Sequence, residues 1–175
     1  MNSPVHVELV DRADTTAVER ELATILIDAV DGGASVGFLA PLDPIRAQHW
    51  WREALKPDTT ITLVAREPTG RTVGVVQLRL VTYPNGDHRA EVAKLLVHRV
   101  ARGRGIGHAL MERLEAEAMV RERWLLMLDT QTGSPAEGMY EGMGWRRLGI
   151  LDDHARTPDG TLEPTTFMTK RLDRS

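Results

Sequence analysis

The spacing of apolar residues changes along the 175-residue chain, and each change predicts a different element. Val5–Val10 alternates weakly between apolar and polar residues and predicts a short strand. A capping box of Thr16 and Glu19 then opens a helix whose apolar residues recur every three or four positions as far as Asp31. Asp43, followed by proline, is typical of the start of a second helix. Its apolar face, which we interpret as core, comprises Ala47, Trp50, Trp51, Ala54 and Leu55.

Three strand-like segments occupy the middle of the chain: Ile61–Arg66, Thr72–Val81 and Ala90–Val97. They are rich in β-branched and aliphatic residues and are separated by turns that contain proline and glycine, which predicts an antiparallel meander. From Gly105 onward the apolar period becomes helical again and lasts for about four turns. The apolar face of this third helix comprises Ile106, Leu110, Leu114 and Ala118.

The C-terminal part predicts one more helix and three strands. Trp124–Leu128 is a short apolar strand, and Ser134–Glu141 is a short helix that begins at a Ser-Pro pair. Trp145–Ile150 and Thr165–Lys170 predict the last two strands, with a loop over residues 152–160 between them. Since no linker or repeat interrupts this order, we expect one α/β domain that covers residues 1–175.

Composition excludes several kinds of site. The absence of cysteine rules out disulfides, zinc–cysteine sites and an acyl-cysteine intermediate. A formal net charge of −3 without an isolated basic block argues against a nucleic-acid partner. Without a signal peptide or a long apolar window, we expect a cytoplasmic protein that contacts no membrane. We also expect no metal, because the six histidines have no metal-binding spacing: His6, His49, His88, His98, His108 and His154.

The segment Leu95–Gly107 carries the clearest chemical signal. A strand runs into a turn rich in glycine and arginine, and the turn opens directly into the third helix. The free N–H groups and positive dipole at such a helix start bind phosphate or pyrophosphate, and Arg102 and Arg104 would add cationic donors. A dinucleotide fingerprint would need glycine in place of His108, and no P-loop Gly-Lys-Ser/Thr sequence is present. A glycine-rich turn without a ligand is the alternative that the turn alone leaves open.

The pattern Arg102-x-x-Gly105-x-Gly107 resembles the pyrophosphate loop of the GNAT superfamily of N-acetyltransferases, and the order of elements is similar. The resemblance implies an α/β GNAT fold, with a mixed, mostly antiparallel sheet that splays between two parallel strands and holds acetyl-CoA in the gap. It implies that the pantetheine arm pairs with backbone groups of Leu95, Leu96 and Val97. It also implies a pyrophosphate site on the amides of Arg102, Gly103, Arg104, Gly105, Ile106 and Gly107.

Three further assignments come from the same resemblance. The backbone N–H of Leu96 or Val97 is the candidate oxyanion donor. Where the family commonly has an asparagine after the second parallel strand, this chain has Gly133 and Ser134, and the Ser134 hydroxyl would replace that contact. Tyr140 lies before a Gly-aromatic pair, as in the family helix whose tyrosine points at the sulfur of coenzyme A, so Tyr140 is the candidate proton donor to the thiolate. The alternative for Tyr140 is a tyrosine that only packs the helix on the sheet.

A narrower resemblance is to the tabtoxin resistance group of acetyltransferases, which implies an amino-acid-like antimetabolite as acceptor and a role in resistance. It rests on five segments: Gly32–Phe38, Arg89–Leu95, Leu128–Thr130, Gly133–Ser134 and Thr157–Gly160. A homodimer is implied only by analogy with the family. Residues that would bind the acceptor are Asp31, Ser35, Phe38 and His154, whereas a flexible glycine connection and a surface histidine are the plain alternatives.

Amide formation from a thioester requires a base that takes a proton from the amine. Glu91 begins a strand, a position that disfavours glutamate, and it shares side-chain parity with Ala93, Leu95 and Val97. Asp129 follows the second parallel strand, where open α/β sheets place their sites. Both carboxylates are candidate bases, and a carboxylate that caps a turn or faces water is the alternative for each.

These residues predict an acetyl-CoA-dependent N-acetyltransferase that modifies the amine of a small molecule by direct attack in a ternary complex. Two other functions stay open on the sequence. One is a transferase for protein or peptide amines, which would need an open groove. The other is a non-catalytic acyl-CoA-binding sensor, which would keep the phosphate-binding turn and need none of the three candidate catalytic residues.

Overall fold

The computed structural model describes residues 5–11, 13 and 15–173 of the chain. Its strands are β1 His6–Leu9, β2 Thr60–Arg66, β3 Thr72–Leu80, β4 Arg89–Val97, β5 Leu125–Gln131, β6 Arg146–Arg156 and β7 Leu162–Arg171. Its α-helices are α1 Thr16–Asp31, α2 Pro44–Ala54, α3 Ile106–Val120 and α4 Pro135–Gly142. Short 3₁₀ turns cover Pro84–Gly86 and Arg99–Ala101. The predicted order of helices and strands is confirmed.

The seven strands form one sheet in the order β1-β2-β3-β4-β5-β7-β6. Every neighbouring pair is antiparallel except β4 and β5, which are parallel. A parallel pair needs a crossover, and α3 supplies it by returning the chain from the end of β4 to the start of β5. The expected mixed, mostly antiparallel sheet flanked by helices is therefore confirmed.

Each sheet face has its own apolar core. On one face, which we call the α3/α4 face, Leu63, Val76 and Leu126 pack with α3 residues such as Leu110. On the other, the α1/α2 face, Val64, Val75 and Leu96 pack under α1 and α2, and the fully buried Trp51 is the largest side chain there. The successive strand residues 63 and 64 thus enter opposite cores, as the period of two in a strand requires.

The start of α1 differs from its prediction. The N-cap is Thr15 rather than Thr16, and the hydroxyl of Thr15 donates to the Glu19 carboxylate at 3.0 Å without capping a backbone N–H. The predicted capping box is therefore wrong, because the sequence has two adjacent threonines and only the tertiary structure selects the first. The predicted cap of α2 is confirmed, since the Asp43 carboxylate accepts a hydrogen bond from Arg46 N at 2.9 Å.

Three strands extend beyond their predicted ends. β5 continues to Gln131, so Asp129 lies inside the strand and not at its carboxyl end. β6 continues to Arg156, which places His154 in a strand and reduces the predicted 152–160 loop to a tight turn. β7 begins at Leu162. In residues 5–11, 13 and 15–173, none of the helices combines the length and the apolarity that a membrane span requires.

Candidate active site

The parallel strands β4 and β5 separate part-way along their length. They are paired only at Arg89, Ala90 and Glu91 of β4. Beyond Glu91, β4 stays paired with β3 as far as Val97, while β5 stays paired with β7 as far as Gln131. A wedge-shaped gap therefore opens in the middle of the sheet, and the edge of β4 along Leu95–Val97 faces it without a β5 partner. Unpaired strand edges offer backbone N–H and C=O groups to a ligand.

A β-bulge interrupts β4 within this gap. Val75 pairs with Leu96 whereas Gln77 pairs with Ala93, so one more residue lies on β4 than on β3 between these pairs. Lys94 takes up the difference with a left-handed φ of 54°, which is rare for a residue other than glycine. The predicted shared parity of Glu91 with Leu95 and Val97 is wrong, because the bulge reverses the side-chain alternation.

The predicted phosphate-binding turn, which we call the phosphate loop (Arg102–Gly107), leads directly into α3. Gly103 and Gly105 adopt left-handed φ values of 73° and 75°, a conformation that favours glycine. The first hydrogen bond within α3 runs from Ala109 N to Gly105 O at 3.0 Å, so the preceding amides have no partner inside the helix. A Cβ at Gly107 would lie 3.3 Å from the Met139 sulfur of α4, so glycine here allows the two helices to approach.

The two arginines of the phosphate loop have different surroundings. Arg102 is half exposed, and its Nε donates to Val97 O at 2.9 Å. Arg104 forms an ion pair with Glu67 at 2.7 Å, so its charge is neutralised within the protein rather than left free for an anion. Ahead of the loop, Arg99 contacts Asp28 of α1 through its backbone N–H at 2.9 Å and through its guanidinium. Sequence reasoning missed both Arg99 and Asp28.

Tyr140 is positioned by the C-terminus of α4. Gly144 has a left-handed φ of 83° and donates to Glu141 O, while Trp145 N donates to Tyr140 O at 3.0 Å. These bonds form a Schellman motif, and its usual apolar contact is made by the rings of Tyr140 and Trp145, whose centroids are 5.9 Å apart. The position of the Tyr140 side chain is therefore determined by contacts within the segment Tyr140–Trp145. Burial chiefly, together with the Asp129 carboxylate, raises the pKa of Tyr140 above its usual value.

Ser134 is the N-cap of α4. Its Oγ accepts a hydrogen bond from Glu137 N at 3.3 Å and lies 3.3 Å from Thr130 Oγ1. The Glu137 carboxylate in turn accepts a hydrogen bond from Gly133 N at 2.6 Å, as in a capping box shifted by one residue. The hydroxyl that the resemblance assigned to the pantetheine arm is thus used to cap the helix.

Four charged side chains share the α1/α2 face beside the gap. Strand register places Arg79, Glu91 and Met127 next to one another on this face, and Asp129 follows Met127 at the next position on the same side. Arg79 pairs with Glu91 at 3.4 Å. Burial chiefly, and then Arg79, lower the pKa of Lys94, while Asp129 and Glu91 act in the opposite direction. These four residues therefore interact electrostatically, and we call the place the charged crevice (Arg79, Glu91, Lys94 and Asp129).

The connection between α1 and α2, residues 32–42, covers Lys94 at one side of this crevice. Lys94 Nζ donates to Val36 O at 2.9 Å and lies 5.1 Å from the centre of the Trp50 ring. Phe38 packs edge-on against Trp50, with ring centroids 5.6 Å apart. At its other side the connection is bonded to the β6–β7 hairpin, since Ser35 Oγ donates to Arg156 O at 3.1 Å. Residues 32–42 thus bridge the hairpin and β4, which makes them an ordered cover rather than a free glycine connection.

The structure places the predicted acceptor-binding residues in three different surroundings. Phe38 packs on Trp50, which in turn contacts Lys94 of the charged crevice. His154 packs on Phe167, which is the strand partner of Asp129. Ser35 uses its hydroxyl to hold the cover. Asp31 instead lines a cavity of about 580 Å³ between the end of α1 and the β6–β7 hairpin. Within the described residues, the lining of this cavity does not include Glu91, Asp129 or Tyr140.

Arg79 and Lys94 were not predicted from the sequence, nor was the contact of Trp50 with Lys94. Trp51 is fully buried, as predicted. Trp50 is partly buried: it packs against the α1/α2 core and also lines a separate cavity of about 320 Å³ together with Gln77 and Arg79. Lys94 carried the same signal as Glu91, namely a charged residue inside a segment of otherwise apolar strand character. Among the residues that the structure describes, no cluster of three or more His, Cys, Asp or Glu side chains could hold a metal ion.

The α/β scaffold thus carries a wedge-shaped gap between its two parallel strands, the phosphate loop at the start of α3 and the buried Tyr140 of α4. A sequence profile of the Acetyltransferase (GNAT) family matches residues 34–145. The chain belongs to this family and is an N-acetyltransferase. The non-catalytic sensor is therefore set aside, and pyrophosphate binding by the phosphate loop stays a prediction.

Solved structures of the same fold include enzymes with different acceptors. A ribosomal-protein-alanine N-acetyltransferase from Brucella melitensis is 25% identical with a TM-score of 0.77, over 95% of this chain and 99% of that one. A phosphinothricin acetyltransferase from Sinorhizobium meliloti, in complex with acetyl-CoA, is 17% identical with a TM-score of 0.77, over 96% and 88%. An N-acetyltransferase from Staphylococcus aureus Mu50 is 19% identical with a TM-score of 0.78, over 98% and 100%. These similarities confirm the fold.

Proposed function

We propose that this enzyme transfers the acetyl group of acetyl-CoA to the amine of a small, amino-acid-like molecule by direct attack within a ternary complex. One observation carries the proposal. The charged crevice opens on the gap between β4 and β5, and its Asp129 carboxylate acts electrostatically on the buried Tyr140 phenol. A candidate base and a candidate acid thus lie within electrostatic range of each other, which suits the two proton transfers of one reaction.

The residues around the gap suit acetyl-CoA as co-substrate. The unpaired edge of β4 along Leu95–Val97 offers backbone groups to the amides of the pantetheine arm. The free amides at the start of α3 and the half-exposed Arg102 offer donors to the pyrophosphate. The left-handed glycines of the phosphate loop carry no side chain that would block this approach. Ser134 and Arg104 have no such role in the proposal, because both side chains are bonded within the protein.

Asp129 is the proposed base and Tyr140 the proposed acid. Asp129 accepts a proton from the ammonium group of the acceptor, and the neutral nitrogen attacks the thioester carbonyl. The backbone N–H of Leu96 or Val97 stabilises the oxyanion. Attack leaves the nitrogen of the tetrahedral intermediate cationic. As the carbon–sulfur bond breaks, Tyr140 donates its proton to the departing thiolate, the acylated nitrogen gives its second proton to the phenolate through solvent, and Asp129 releases its proton to solvent. Glu91 is ion-paired with Arg79, so in this proposal it positions the Arg79 side chain and does not take the proton.

The cover of residues 32–42 supports a small acceptor. It is bonded to the β6–β7 hairpin on one side and to Lys94 on the other, so it bounds the crevice at Lys94, while Glu91 and Asp129 stay exposed. A protein substrate generally needs an extended groove across the sheet, and this segment narrows the approach at Lys94. The resemblance of segments such as Gly32–Phe38 to the tabtoxin resistance group supports an antimetabolite as acceptor and a role in resistance.

A protein amine is the second candidate function. The observation in its favour is the 25% identity to an enzyme whose name gives a ribosomal-protein alanine as its acceptor. A bulky acceptor that reached Lys94 would have to displace the cover, which would break the contact of Val36 with Lys94. The small-molecule proposal needs no such rearrangement.

The test is thiol release from acetyl-CoA in the presence of separate panels of primary amines, free amino acids with their antimetabolite analogues, and short peptides with N-terminal alanine. We expect release with members of the amino-acid panel and only background hydrolysis with the peptides. Release with the peptides alone would replace the proposal by the second candidate. Release with none of the panels would overturn it.

A further inference from the structure

Two of the four charges in the charged crevice have no ion-pair partner. Arg79 and Glu91 neutralise each other at 3.4 Å. Lys94 and Asp129, in contrast, lie more than 4.0 Å from every oppositely charged group in residues 5–11, 13 and 15–173. The crevice therefore presents one positive and one negative charge outside any ion pair, which act on each other only at longer range.

The β4 bulge is what brings the Lys94 side chain into the crevice. In a regular strand Lys94 would share a face with Val92, which is buried in the α3/α4 core. The left-handed φ of Lys94 turns the side chain to the α1/α2 face instead, where Nζ meets Val36 O and the Trp50 ring. A bulge commonly re-aims a side chain next to an active site.

The Lys94 ammonium has unused donor capacity in this position. An ammonium carries three N–H donors, and its contacts within the described residues are the single hydrogen bond to Val36 O and the face of Trp50. A partly buried positive charge without a counter-charge is unfavourable, so an anion that reaches it gains a strong, charge-assisted hydrogen bond.

We propose that Lys94 is a specificity residue that binds an anionic oxygen group, such as a carboxylate, carried by the acceptor beside its amine. The inference rests on the proposed function, in which Asp129 receives the amine. The unpaired Lys94 and Asp129 then match the two ends of a zwitterion, so the crevice selects free amino acids and rejects amines that lack the anion. Rejection follows because such an amine leaves the Lys94 ammonium without an anionic partner.

The experiment compares each free amino acid with its carboxamide as acceptor at saturating acetyl-CoA, in the wild type and in Lys94→Met. For the wild type, kcat/KM for the acid exceeds that for the amide by roughly tenfold or more, as a charge-assisted hydrogen bond implies. Lys94→Met lowers the value for the acid to that for the amide and leaves the amide value within about twofold. Lys94→Arg keeps the charge and retains a preference for the acid.

The matched control is Lys56→Met, which removes an exposed lysine that follows α2 and pairs with Glu53. It should retain the full acid preference. Thermal unfolding of each variant shows that the protein is folded. A second readout is calorimetric binding of N-acetyl amino acids and of their amides, because these products carry the anion without needing turnover. Binding of the acids alone, lost in Lys94→Met, supports the inference.

The outcomes separate the two proposals. Equal kcat/KM for acid and amide in the wild type, or a Lys94→Met variant with unchanged preference, overturns the role of Lys94 while the transferase proposal stands. Release with none of the amines overturns the proposed function, and the binding comparison then decides the role of Lys94 by itself. Equal binding of acids and amides overturns that role as well.

Discussion

Asp28 of α1 and Arg99, three residues before the phosphate loop, are joined by three hydrogen bonds. The Asp28 carboxylate accepts from Arg99 N at 2.9 Å and from the Arg99 guanidinium, and Arg99 Nη2 also donates to Asp28 O at 2.9 Å. His98 and Arg102 lie within 3.8 Å of the same carboxylate. Because Asp28 is buried on the apolar side of α1, this contact ties the helix to the approach of the loop.

Replacing Asp28 by asparagine should therefore weaken both the fold and the binding of acetyl-CoA. Arg99 would lose its carboxylate partner, and we expect a loss of about 2–4 kcal/mol in the free energy of unfolding, as for other buried charged contacts. KM for acetyl-CoA should rise because the loop is no longer held. Urea unfolding and initial-rate kinetics measure the two effects, with the exposed Asp173→Asn as control. An unchanged KM in Asp28→Asn would show that the loop holds its shape without α1.

The lowered pKa of Asp28 predicts that the free energy of unfolding depends on pH. Burial raises the pKa of Asp28, but the hydrogen bonds from Arg99 and the charges of His98 and Arg99 outweigh it, so the pKa is lowered. A lowered pKa stabilises the folded state above the pKa of the unfolded state, about 3.9, and this contribution disappears as the pH falls further. The difference in unfolding free energy between wild type and Asp28→Asn should thus be full at neutral pH and shrink below about pH 4. The prediction would be contradicted if the difference in unfolding free energy between wild type and Asp28→Asn stayed constant from neutral pH to below about pH 4.

The glycines of the phosphate loop allow a prediction that isolates backbone conformation. A Cβ at Gly105 meets no atom within 4 Å, so Gly105→Ala tests only the left-handed φ of 75°. We expect a destabilisation of about 1–2 kcal/mol and a raised KM for acetyl-CoA. Gly138, inside α4, also has open space around it but carries no left-handed φ. Gly138→Ala should be stabilising by roughly 0.5–1 kcal/mol without a change in KM. Similar effects of the two variants would rule out the conformational explanation.

The sequence predicted local structure well where residues within one short segment determine it. The Asp43 cap, the phosphate loop and the helix around Tyr140 each depend on residues within a few positions of one another. The β4 bulge does not, because Lys94 reads as one more position in a continuous strand until β3 sets the register. The prediction that Glu91 shares a face with Leu95 failed for this reason. The homodimer, implied only by analogy, stays a prediction.

The charged crevice shows the same limit for a site. Glu91 and Asp129 were found from single-residue signals, but the partner of Glu91 is Arg79, twelve positions away on another strand. The sequence could not indicate that, within the part of the chain that the structure describes, Glu91 has an ion-pair partner and Asp129 has none. Asp28 illustrates a signal that was available, since an acidic residue among the apolar positions of α1 indicates a buried partner.

The difference in pairing predicts different effects for the two candidate bases. Asp129→Asn should lower kcat by about 10²-fold or more, because the proposed proton acceptor is lost. Glu91→Gln should act mainly on the acceptor KM, because it frees Arg79 without removing the base. Initial rates with the amino acid that gives the fastest thiol release measure both. If Glu91→Gln lowers kcat more than Asp129→Asn, the assignment of the base is reversed.

Tyr140 and Tyr83 are the two tyrosines of the chain, which provides a matched pair of variants. Tyr140 is buried beside the gap and Tyr83 is 72% exposed. Tyr140→Phe removes the phenolic proton while keeping the contact with Trp145, so kcat should fall by about 10²-fold with little change in acetyl-CoA affinity. Tyr83→Phe should leave both unchanged. Because burial and Asp129 raise the pKa of Tyr140, ionisation of this phenol should not limit kcat below about pH 10, the usual tyrosine pKa. A Tyr140→Phe enzyme that turns over as fast as wild type at saturating substrates would remove this residue from the mechanism.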